Sequence, residues 1–378
     1  MSLLYFADIH LGYTGYSSYN EHGISTATEI TRIALDKIYE RAKQNDIELL
    51  ICGGDFFHTK DPNTENIRWT ISWLSKINSL NKPFYLITGN HDVGMSSHSI
   101  VFIRELKDLG LTNIKLIEAQ TTVPYKDYTI HILPFIVNSK TTKYRYAASL
   151  DELNKAILVM PKEDKNILVT HIQEAGATNG SEAFMIAVKC ETIDVSTYKN
   201  FKDLTLLLGH IHRPQLYTKN GIRICYPGSL TFFDKSDCNQ SKGYVILEDN
   251  GNIVFEPVIG IRLFKSYSIP KHTNIYEYIE RLRLSINEVV FLEIDESVEF
   301  DYEKIRIVFA ERGCILGKID IQKIKEEEKI TTSYLTKARN PHTILKTYID
   351  TKDLTDDDKI KVLSKGESYV DKNFKEII

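Results

Sequence analysis

The sequence has few of the residues that mark secreted, membrane or nucleotide-hydrolysing proteins. Its five cysteines are scattered, odd in number and form no CxxC pair, so neither disulfides nor thiolate metal sites are expected. Long apolar runs are missing, since residues 1–7 lead directly to Asp8, which predicts neither a signal peptide nor a membrane span. No P-loop motif, GxxxxGK followed by Ser or Thr, is present, so no bound nucleotide is expected. We therefore predict a cytoplasmic protein that leaves any ATP hydrolysis to a partner.

Excess positive charge is also lacking. The 47 Lys and Arg against 51 Asp and Glu give a net charge of −4, whereas many nucleic-acid-binding domains are basic. Contact with a polyanion would then need local patches or bound cations. The hydrophobic fraction of 42% and charged fraction of 26% are those of globular proteins. A chain of 378 residues exceeds one ordinary core, so one large domain with smaller additions is expected.

The order of apolar runs and helical periods predicts an α/β fold. Strand-like runs at 3–7, 47–52 and 84–88 alternate with helical patterns at 26–42 and 65–80. Two more buried-strand runs follow at 167–170 and 204–208, and two hairpins are signalled by Asn220-Gly221 and Asn250-Gly251. Two layers of sheet flanked by helices would bury these runs.

A second pattern begins after Gly260. Apolar strands at 263–269, 289–294 and 315–321 alternate with helical segments at 275–284 and 302–310, which predicts a small α+β domain. A charged run follows Lys323, and beyond it short amphipathic helices are expected, one beginning at Asn340-Pro341 and one at a Thr355 to Asp358 capping box and ending near Gly366. The predicted division is therefore a domain at 1–262, a capping domain at 263–322 and a linker with a helical tail at 323–378.

Residue types that bind metals follow five of the predicted strands. In α/β sheets the carboxyl ends of strands meet at one crevice, so these residues can converge although they are far apart in the chain. One such triplet alone is more often an ordinary loop or core feature, but packing favours apolar residues at these positions. The repetition therefore predicts a metal site formed from Asp8-Ile9-His10, Gly54-Asp55, Gly89-Asn90-His91-Asp92, His171 and Gly209-His210-Ile211-His212.

Four segments carry a family resemblance: Ala7-Asp8-Ile9-His10-Leu11-Gly12, Gly54-Asp55-Phe56-Phe57-His58, Gly209-His210-Ile211-His212-Arg213-Pro214-Gln215 and Tyr226-Pro227-Gly228-Ser229-Leu230. They resemble segments of the calcineurin-like metallophosphoesterases and, within that superfamily, of the SbcD (Mre-eleven) double-strand-break repair nucleases. The likeness covers roughly residues 1–260. It departs from the family at Phe56, where Leu is usual, at Val93, where a basic residue is common, and in the loop 13–23.

The resemblance implies a two-sheet sandwich that carries two metal ions. It implies a first ion bound by Asp8, His10, Asp55 and His212 and a second bound by Asp55, Asn90, His171 and His210, so that Asp55 bridges them. Imidazole and oxygen ligands suit Mn²⁺, Fe²⁺ or Zn²⁺, and the resemblance favours two Mn²⁺. The implied catalytic pair is His91, which would stabilise the transition state or protonate the leaving group, and Asp92, which would orient its ring.

The resemblance also implies an activity and partners. The activity is Mn²⁺-dependent double-strand exonuclease and single-strand endonuclease cleavage of DNA in recombination and repair. The partners are DNA, an SbcC (Rad-fifty)-type coiled-coil ATPase bound by the tail, and a second copy of the chain. The homodimer would use helix 65–80, with Trp69 and Trp73, and helix 99–109; packing of both helices within their own subunit is the alternative.

Several assignments stay open at this stage. His58 follows the second motif and either contacts DNA ends or is an exposed loop residue, while His131 is expected to be an ordinary sheet residue. Lys140, Lys143 and Arg145 are interleaved with aromatics, a pattern that suits phosphate contact and stacking as well as a solvated segment. The alternative functions are a phosphatase acting on another phosphoester and a non-catalytic scaffold. The GHIHRPQ and YPGSL segments argue against a phosphatase. A scaffold would not need the metal ligands, whereas every expected ligand residue is present in this sequence.

Overall fold

A computed structural model describes residues 2–21, 23–93, 109–137, 148–184, 191–322, 349 and 355–373. The chain divides into two compact units, Met1–Asp320 and Ile321–Ile378. Within the described residues, the larger unit contains two six-stranded sheets, two short strand pairs, nearly all of a three-stranded sheet and most of the helices. The predicted α/β class, with two large sheets and flanking helices, is confirmed.

Six strands form the first large sheet of the larger unit. In sheet order they are β16 (Ile253–Pro257), β15 (Gly243–Leu247), β1 (Ser2–Phe6), β2 (Ile47–Cys52), β3 (Phe84–Ile87) and β4 (Ile114–Ile117). Strands β1 to β4 are parallel to one another, and the β15–β16 hairpin joins β1 in the antiparallel direction. All residues of β1 are buried, as expected for a parallel strand covered on both faces.

The second large sheet also has six strands. In order they are β13 (Gln215–Lys219), β14 (Ile222–Tyr226), β12 (Asp203–Gly209), β9 (Lys165–His171), β6 (Tyr128–Ile132) and β5 (Thr121–Tyr125). The four central strands are parallel, and each edge strand is antiparallel to its neighbour. Two short parallel pairs accompany these sheets: β7 (Ile136–Val137) with β8 (Ala148–Ser149), and β10 (Gln173–Glu174) with β11 (Thr192–Ile193).

Helices cover the outer faces of the two sheets, and apolar side chains fill the space between them. Helices α1 (Thr26–Ala42) and α2 (Thr64–Asn78) share a core with the first sheet, and α3 (Leu150–Val159) shares one with the second. A third cluster, which includes Tyr5 and Val169, joins the sheets. Each helix begins at a side-chain cap, Ser25, Asn63 and Ser149 respectively, which satisfies amide groups that have no partner within the helix.

The predicted β-α-β-α-β pattern after residue 260 is confirmed. It comprises β17 (Phe264–Ile269), α4 (Ile275–Arg281), β18 (Val289–Asp295), α5 (Tyr302–Glu311) and β19 (Ile315–Gln322), with β18 in the middle of a three-stranded sheet. Part of this segment has a core of its own, whereas other residues, including Phe264 and Phe291, join the core of the first large sheet. The predicted domain boundaries at 262 and 322 stay predictions.

Helix α6 (Asp356–Asn373) is the described helix of the smaller unit. It begins as predicted, since Thr355 Oγ1 accepts from the backbone N–H of Asp358 at 3.3 Å and donates to its carboxylate. The predicted end near Gly366 is wrong, because the helix continues to Asn373. An interior glycine costs only about 1 kcal/mol relative to alanine, so it weakens a helix without necessarily ending it.

Several predicted features lie outside the described residues. These are helix 99–109 apart from its last residue, the basic and aromatic segment with Lys140, Lys143 and Arg145, the charged run after Lys323 and the helix expected from Asn340 apart from Ile349. Among the described residues, no helix combines the length and the apolar character needed to cross a membrane.

Trp73 lies in the core of its own subunit. Only 1% of it is exposed, its Nε1–H donates to the carbonyl of Leu35 at 3.0 Å, and its ring packs against Phe56 and Phe84. Trp69 is only partly buried, and the guanidinium of Arg32 lies 5.5 Å from its ring centroid. Of the two tryptophans expected in a dimer contact, the structure thus assigns Trp73 to intramolecular packing.

We predict that Trp73→Ala lowers the free energy of unfolding by about 3–5 kcal/mol, because it leaves a large cavity in a well-packed core. The matched Trp69→Ala should cost less, because Trp69 is only partly buried at the edge of the same core. Urea denaturation of both variants measures this difference. Equal losses would contradict the assignment of Trp73 to the core.

Candidate metal centre

The five strand ends singled out in the sequence meet at one place. Strands β1, β2 and β3 are neighbours in the first large sheet, and β9 and β12 are neighbours in the second. Direct contacts join the two sets of ends, since the backbone N–H of His210 donates to Asp8 at 2.9 Å and His171 Nδ1 donates to the Gly53 carbonyl at 2.9 Å. All seven predicted ligands are buried: Asp8, His10, Asp55, Asn90, His171, His210 and His212.

The side chains form two groups that share one carboxylate oxygen. In the first group, His10 Nε2 lies 3.0 Å from His212 Nε2 and 3.6 Å from Asp55 Oδ2. In the second, Asn90 Oδ1 lies 3.0 Å from both His171 Nε2 and His210 Nδ1. The same Asp55 Oδ2 lies 3.4 Å from His171 Nε2. Asp55 is therefore placed between the groups, as a bridging ligand would be.

These separations fit residues that bind metal ions. Two ligand atoms that each lie about 2.1 Å from one ion, at right angles, are about 3.0 Å apart. Among the described residues, three sets have ligand atoms close enough to hold an ion: Asp8 with His10 and His212, Asp8 with Asp55 and His171, and His10 with His58 and His91. The first two sets belong to the predicted centre.

The electrostatics of the site also favour cations. Burial raises the pKa of Asp8 to about 8, so its charged form needs a neighbouring positive charge. Burial would lower the pKa of His171, but the charge of Asp55 outweighs this effect and raises that pKa to about 9. Burial lowers the pKa of His210 to about 3 and holds the pKa of His10 and His212 well below the usual range. His10, His210 and His212 are thus in the neutral form that binds a metal, whereas His171 has to release its proton when an ion binds.

The backbone at the site is strained. Asp8, His10, Asp55 and His210 have φ of 53°, 49°, 51° and 97°, in the region that residues other than glycine seldom adopt. Each such residue costs on the order of 1–3 kcal/mol and is retained where the surroundings determine it strongly. The sequence showed the residue types at these positions but not their conformation.

Gly54 and Gly89 leave room for the buried side chains. A Cβ on Gly54, whose φ is 99°, would lie 2.6 Å from His171 Nδ1. A Cβ on Gly89 would collide with the carboxylate of Asp55. Gly54 thus permits the close approach of the two sheets, and Gly89 permits that of two neighbouring strand ends in one sheet. This packing role is not revealed by the spacing of the GD and GNHD motifs.

The profile of the family described as calcineurin-like phosphoesterase matches residues 1–214, more than half of the chain. This chain belongs to the calcineurin-like phosphoesterase family. It is accordingly a metal-dependent phosphoester hydrolase, and its family uses a dimetal centre, in agreement with the two groups around Asp55.

Sequence and structure comparisons give more distant relatives. The chain is 23% identical over 366 residues to the DNA double-strand break repair protein Mre11 of Archaeoglobus fulgidus, an alignment that covers 88% of this chain and 79% of the relative. Among solved structures, a dimetal phosphatase from Danio rerio aligns with a TM-score of 0.42 and 10% identity, covering 65% of this chain and 91% of the other. The protein TT1561 of Thermus thermophilus aligns with a TM-score of 0.42 and 12% identity, covering 68% and 98%.

The role predicted for Asp92 in this phosphoesterase needs correction. Its carboxylate accepts from the backbone N–H groups of Phe56, Phe57 and Gly89 at 3.2, 3.0 and 2.9 Å. The ring of His91 donates through Nδ1 to the carbonyl of His58 at 2.8 Å instead. Asp92 therefore fixes the backbone after β2 and β3, where a turn leaves amide groups without partners, and does not orient the His91 ring directly.

Two aromatic residues that the sequence did not indicate lie beside the predicted ligands. The ring of Phe233 is 5.1 Å from that of His10 and 5.3 Å from that of His212. Tyr13 packs on Phe233 and donates through its hydroxyl to the Phe233 carbonyl at 2.6 Å. The contact between Tyr13 and Phe233 joins residues 220 positions apart, and no motif connects them.

The two open histidine assignments differ in their surroundings. His58 lies at this site, with its ring centroid 5.5 Å from that of His91 and 5.6 Å from that of His10. It is partly buried, and burial lowers its pKa to about 4. His131 lies in β6 and contacts Asn166 Oδ1 at 3.2 Å, which agrees with an ordinary sheet residue.

We predict that Asp55→Ala loses both metal ions at concentrations that saturate the parent, because its Oδ2 lies between the two ligand groups and neutralises both ions. Calorimetric titration with Mn²⁺ measures the number of ions bound. Asp61→Ala is the control, since the Asp61 side chain is 69% exposed and pairs only with Lys60 among the salt bridges of the described chain. Retention of one tightly bound ion by Asp55→Ala would show that this carboxylate does not bridge.

Proposed function

We propose that this phosphoesterase is a Mn²⁺-dependent DNA nuclease of the SbcD type, acting on duplex ends as an exonuclease and on single strands as an endonuclease during double-strand-break repair. The observation that carries the proposal is the Asp55-centred pair of ligand groups in a chain whose archaeal Mre11 relative aligns along most of its length. The GHIHRPQ and YPGSL segments add support from the sequence.

In this proposal, a first ion would be held by His10, His212, Asp8 and Asp55, and a second by His171, His210, Asn90 and Asp55. Mixed imidazole and oxygen ligands suit Mn²⁺, with Fe²⁺ or Zn²⁺ as alternatives. Within the described residues, no thiolate belongs to the sets that could hold an ion, so a site that requires cysteine is not part of this proposal.

Two divalent ions supply an activated water and a clamp for a phosphate group. They would also supply the positive charge that a chain of net charge −4 lacks. His91 then acts on the leaving group. Its Nδ1–H is committed to the His58 carbonyl, which leaves Nε2. In the imidazolium form Nε2 also carries a proton, which it can deliver to the leaving group or use to stabilise charge on the phosphate oxygens. His58 is proposed to contact the DNA end, because it lies beside His91 at the edge of the site.

The substrate is tested by giving the purified chain Mn²⁺ and three phosphoesters in parallel: a 3′-labelled DNA duplex, a phosphopeptide and nitrophenyl phosphate. We expect DNA to be cleaved far faster than either monoester, because a phosphodiester nuclease must place a nucleic-acid strand against the site. Faster turnover of the phosphopeptide would replace the nuclease with a phosphatase. Failure to hydrolyse any of the three would favour a scaffold.

His91→Ala provides the matched variant for this assay. It should keep both Mn²⁺ ions and lose about 10²- to 10⁴-fold in turnover, the usual contribution of a general acid. Asp55→Ala should lose activity together with its ions. Loss of metal from His91→Ala would make His91 a structural residue and remove it from the catalytic assignment.

We further propose that the tail binds an SbcC-type coiled-coil ATPase. Helix α6 exposes 66% of the surface of Ile360, and Leu363, one turn further along the same side, is only partly buried. Most of the stability of helices in proteins comes from packing such an apolar side on another surface. A helix that lays its apolar side on a coiled coil is a common mode of recognition. The homodimer stays a prediction, with Trp69 rather than Trp73 available to it.

Deletion of 334–378 should abolish co-purification with the ATPase and ATP-stimulated cleavage of duplex DNA, while Mn²⁺-dependent cleavage of single strands remains. Within the full chain, Ile360→Glu should weaken the interaction, because it places a charge on the apolar side of α6. Lys361→Glu is the control, since Lys361 is exposed on the same helix. Unchanged affinity of the truncated chain for the ATPase would rule out docking through the tail.

A further inference from the structure

A segment outside the family motifs reaches the proposed metal ligands. Residues 173–184 follow His171 and end in a short helical turn, Ser181–Phe184. Gln215, the last residue of GHIHRPQ, holds this segment through both atoms of its amide group. Its Oε1 accepts from the backbone N–H of Thr178 at 2.9 Å, and its Nε2 donates to the carbonyl of Thr178 at 2.9 Å. The motif thus fixes a loop as well as supplying histidines.

That loop presents two buried polar residues to His212. Ser181 Oγ lies 2.8 Å from His212 Nδ1, and Glu182 Oε2 accepts from the backbone N–H of His212 at 2.9 Å. Ser181 is 0% exposed and Glu182 4%. Water therefore has little access to take the place of either partner.

The backbone carbonyl of His212 also accepts hydrogen bonds. Its carbonyl accepts from Lys242 Nζ at 2.9 Å and from the backbone N–H of Ser229 at 3.1 Å. Lys242 is itself buried and paired with Asp237 at 2.7 Å. The N–H, the carbonyl and the ring of His212 each have a partner, which leaves Nε2 as the atom directed at His10.

The Ser181 hydroxyl can either accept from Nδ1–H of His212 or donate to an unprotonated Nδ1, and the first of these bonds is the one compatible with a metal ion on Nε2. A neutral imidazole has one N–H and one lone pair, and the hydrogen bond made by one nitrogen fixes the state of the other. If Nδ1–H donates to Ser181 Oγ, the lone pair is on Nε2, the nitrogen that lies 3.0 Å from His10 Nε2. Without the hydroxyl, Nδ1–H would be a buried donor without a partner, and the other tautomer would become competitive.

We propose that Ser181 is a positioning residue for the metal centre: it holds His212 in the tautomer and orientation that offer Nε2 to the first ion, while Glu182 and Gln215 fix the backbone on which it does so. The inference rests on the proposed metal assignment of His212. It predicts that one ion of the pair, and not the other, depends on a residue that belongs to none of the ligand motifs.

The test is calorimetric titration of Ser181→Ala with Mn²⁺ in the full-length chain. Removal of a hydrogen-bond partner of a metal-binding histidine typically weakens metal affinity about 10- to 100-fold, so one binding step should weaken by that factor while the other keeps its affinity. Ser181→Thr, which keeps the hydroxyl, should restore the weakened step. Ser268→Ala is the matched control, because its hydroxyl donates to Glu293 on the three-stranded sheet.

Activity provides a second readout that separates positioning from catalysis. With a nitrophenyl phosphodiester as substrate, Ser181→Ala should require about 10- to 100-fold more Mn²⁺ for half-maximal rate and should recover most of the parental kcat at saturating Mn²⁺. The proposal would be overturned if Ser181→Ala bound both ions with the parental affinity. It would also be overturned if the kcat of this variant stayed low at saturating Mn²⁺. If the parent binds two ions but does not cleave DNA, the proposed nuclease function fails while the positioning role stands on the titration.

Discussion

The structure depends on one buried carboxylate oxygen, Asp55 Oδ2, which lies between imidazole nitrogens supplied by both large sheets. A charged carboxylate in a site closed to water is unfavourable unless cations or donors surround it. The ring of His171 and the backbone N–H of His91, which donates to Asp55 Oδ1 at 2.8 Å, provide part of that environment. Metal ions would provide the rest, and the packing of the two sheets is what brings the necessary groups within reach.

This arrangement lowers the stability of the folded state, and the unfavourable features lie in the loops that follow the strands. Four of the seven proposed ligands have positive φ, and Gly54 and Gly89 have no space for a Cβ. Asp92 satisfies three backbone N–H groups that the sharp turns leave without partners. The free energy lost to backbone strain at these loops is offset by the burial of apolar surface in three clusters, two outside the sheets and one between them. The residues around the site therefore serve the positions of the ligands more than the stability of the fold.

The second large sheet contributes through contacts that are remote in sequence. His212 is held by residues near 181, 229 and 242, and its ring packs against Phe233. In YPGSL, Gly228 permits a close approach, since a Cβ there would lie 2.7 Å from the His212 carbonyl. The motifs that distinguish this chain thus include residues that build the scaffold of the site. This explains why they extend beyond the ligands themselves.

The sequence by itself determined the strands, the helices and the kind of chemistry at the strand ends. The periodicity of apolar residues placed α1 at the bounds observed, and Asp8, Asp55 and His171 follow apolar runs that were predicted as strands and are strands in the structure. These features are local. The hydrogen bonds of a helix, and the alternation of strand side chains between the two faces of a sheet, each depend on residues only a few positions apart. Only the tertiary structure decided that Asp92 binds backbone instead of the His91 ring, that Trp73 is used within its own core, and that Ser181 faces His212. Each of those contacts joins segments brought together by packing of the sheets and helices, and no local pattern encodes which partner will be there.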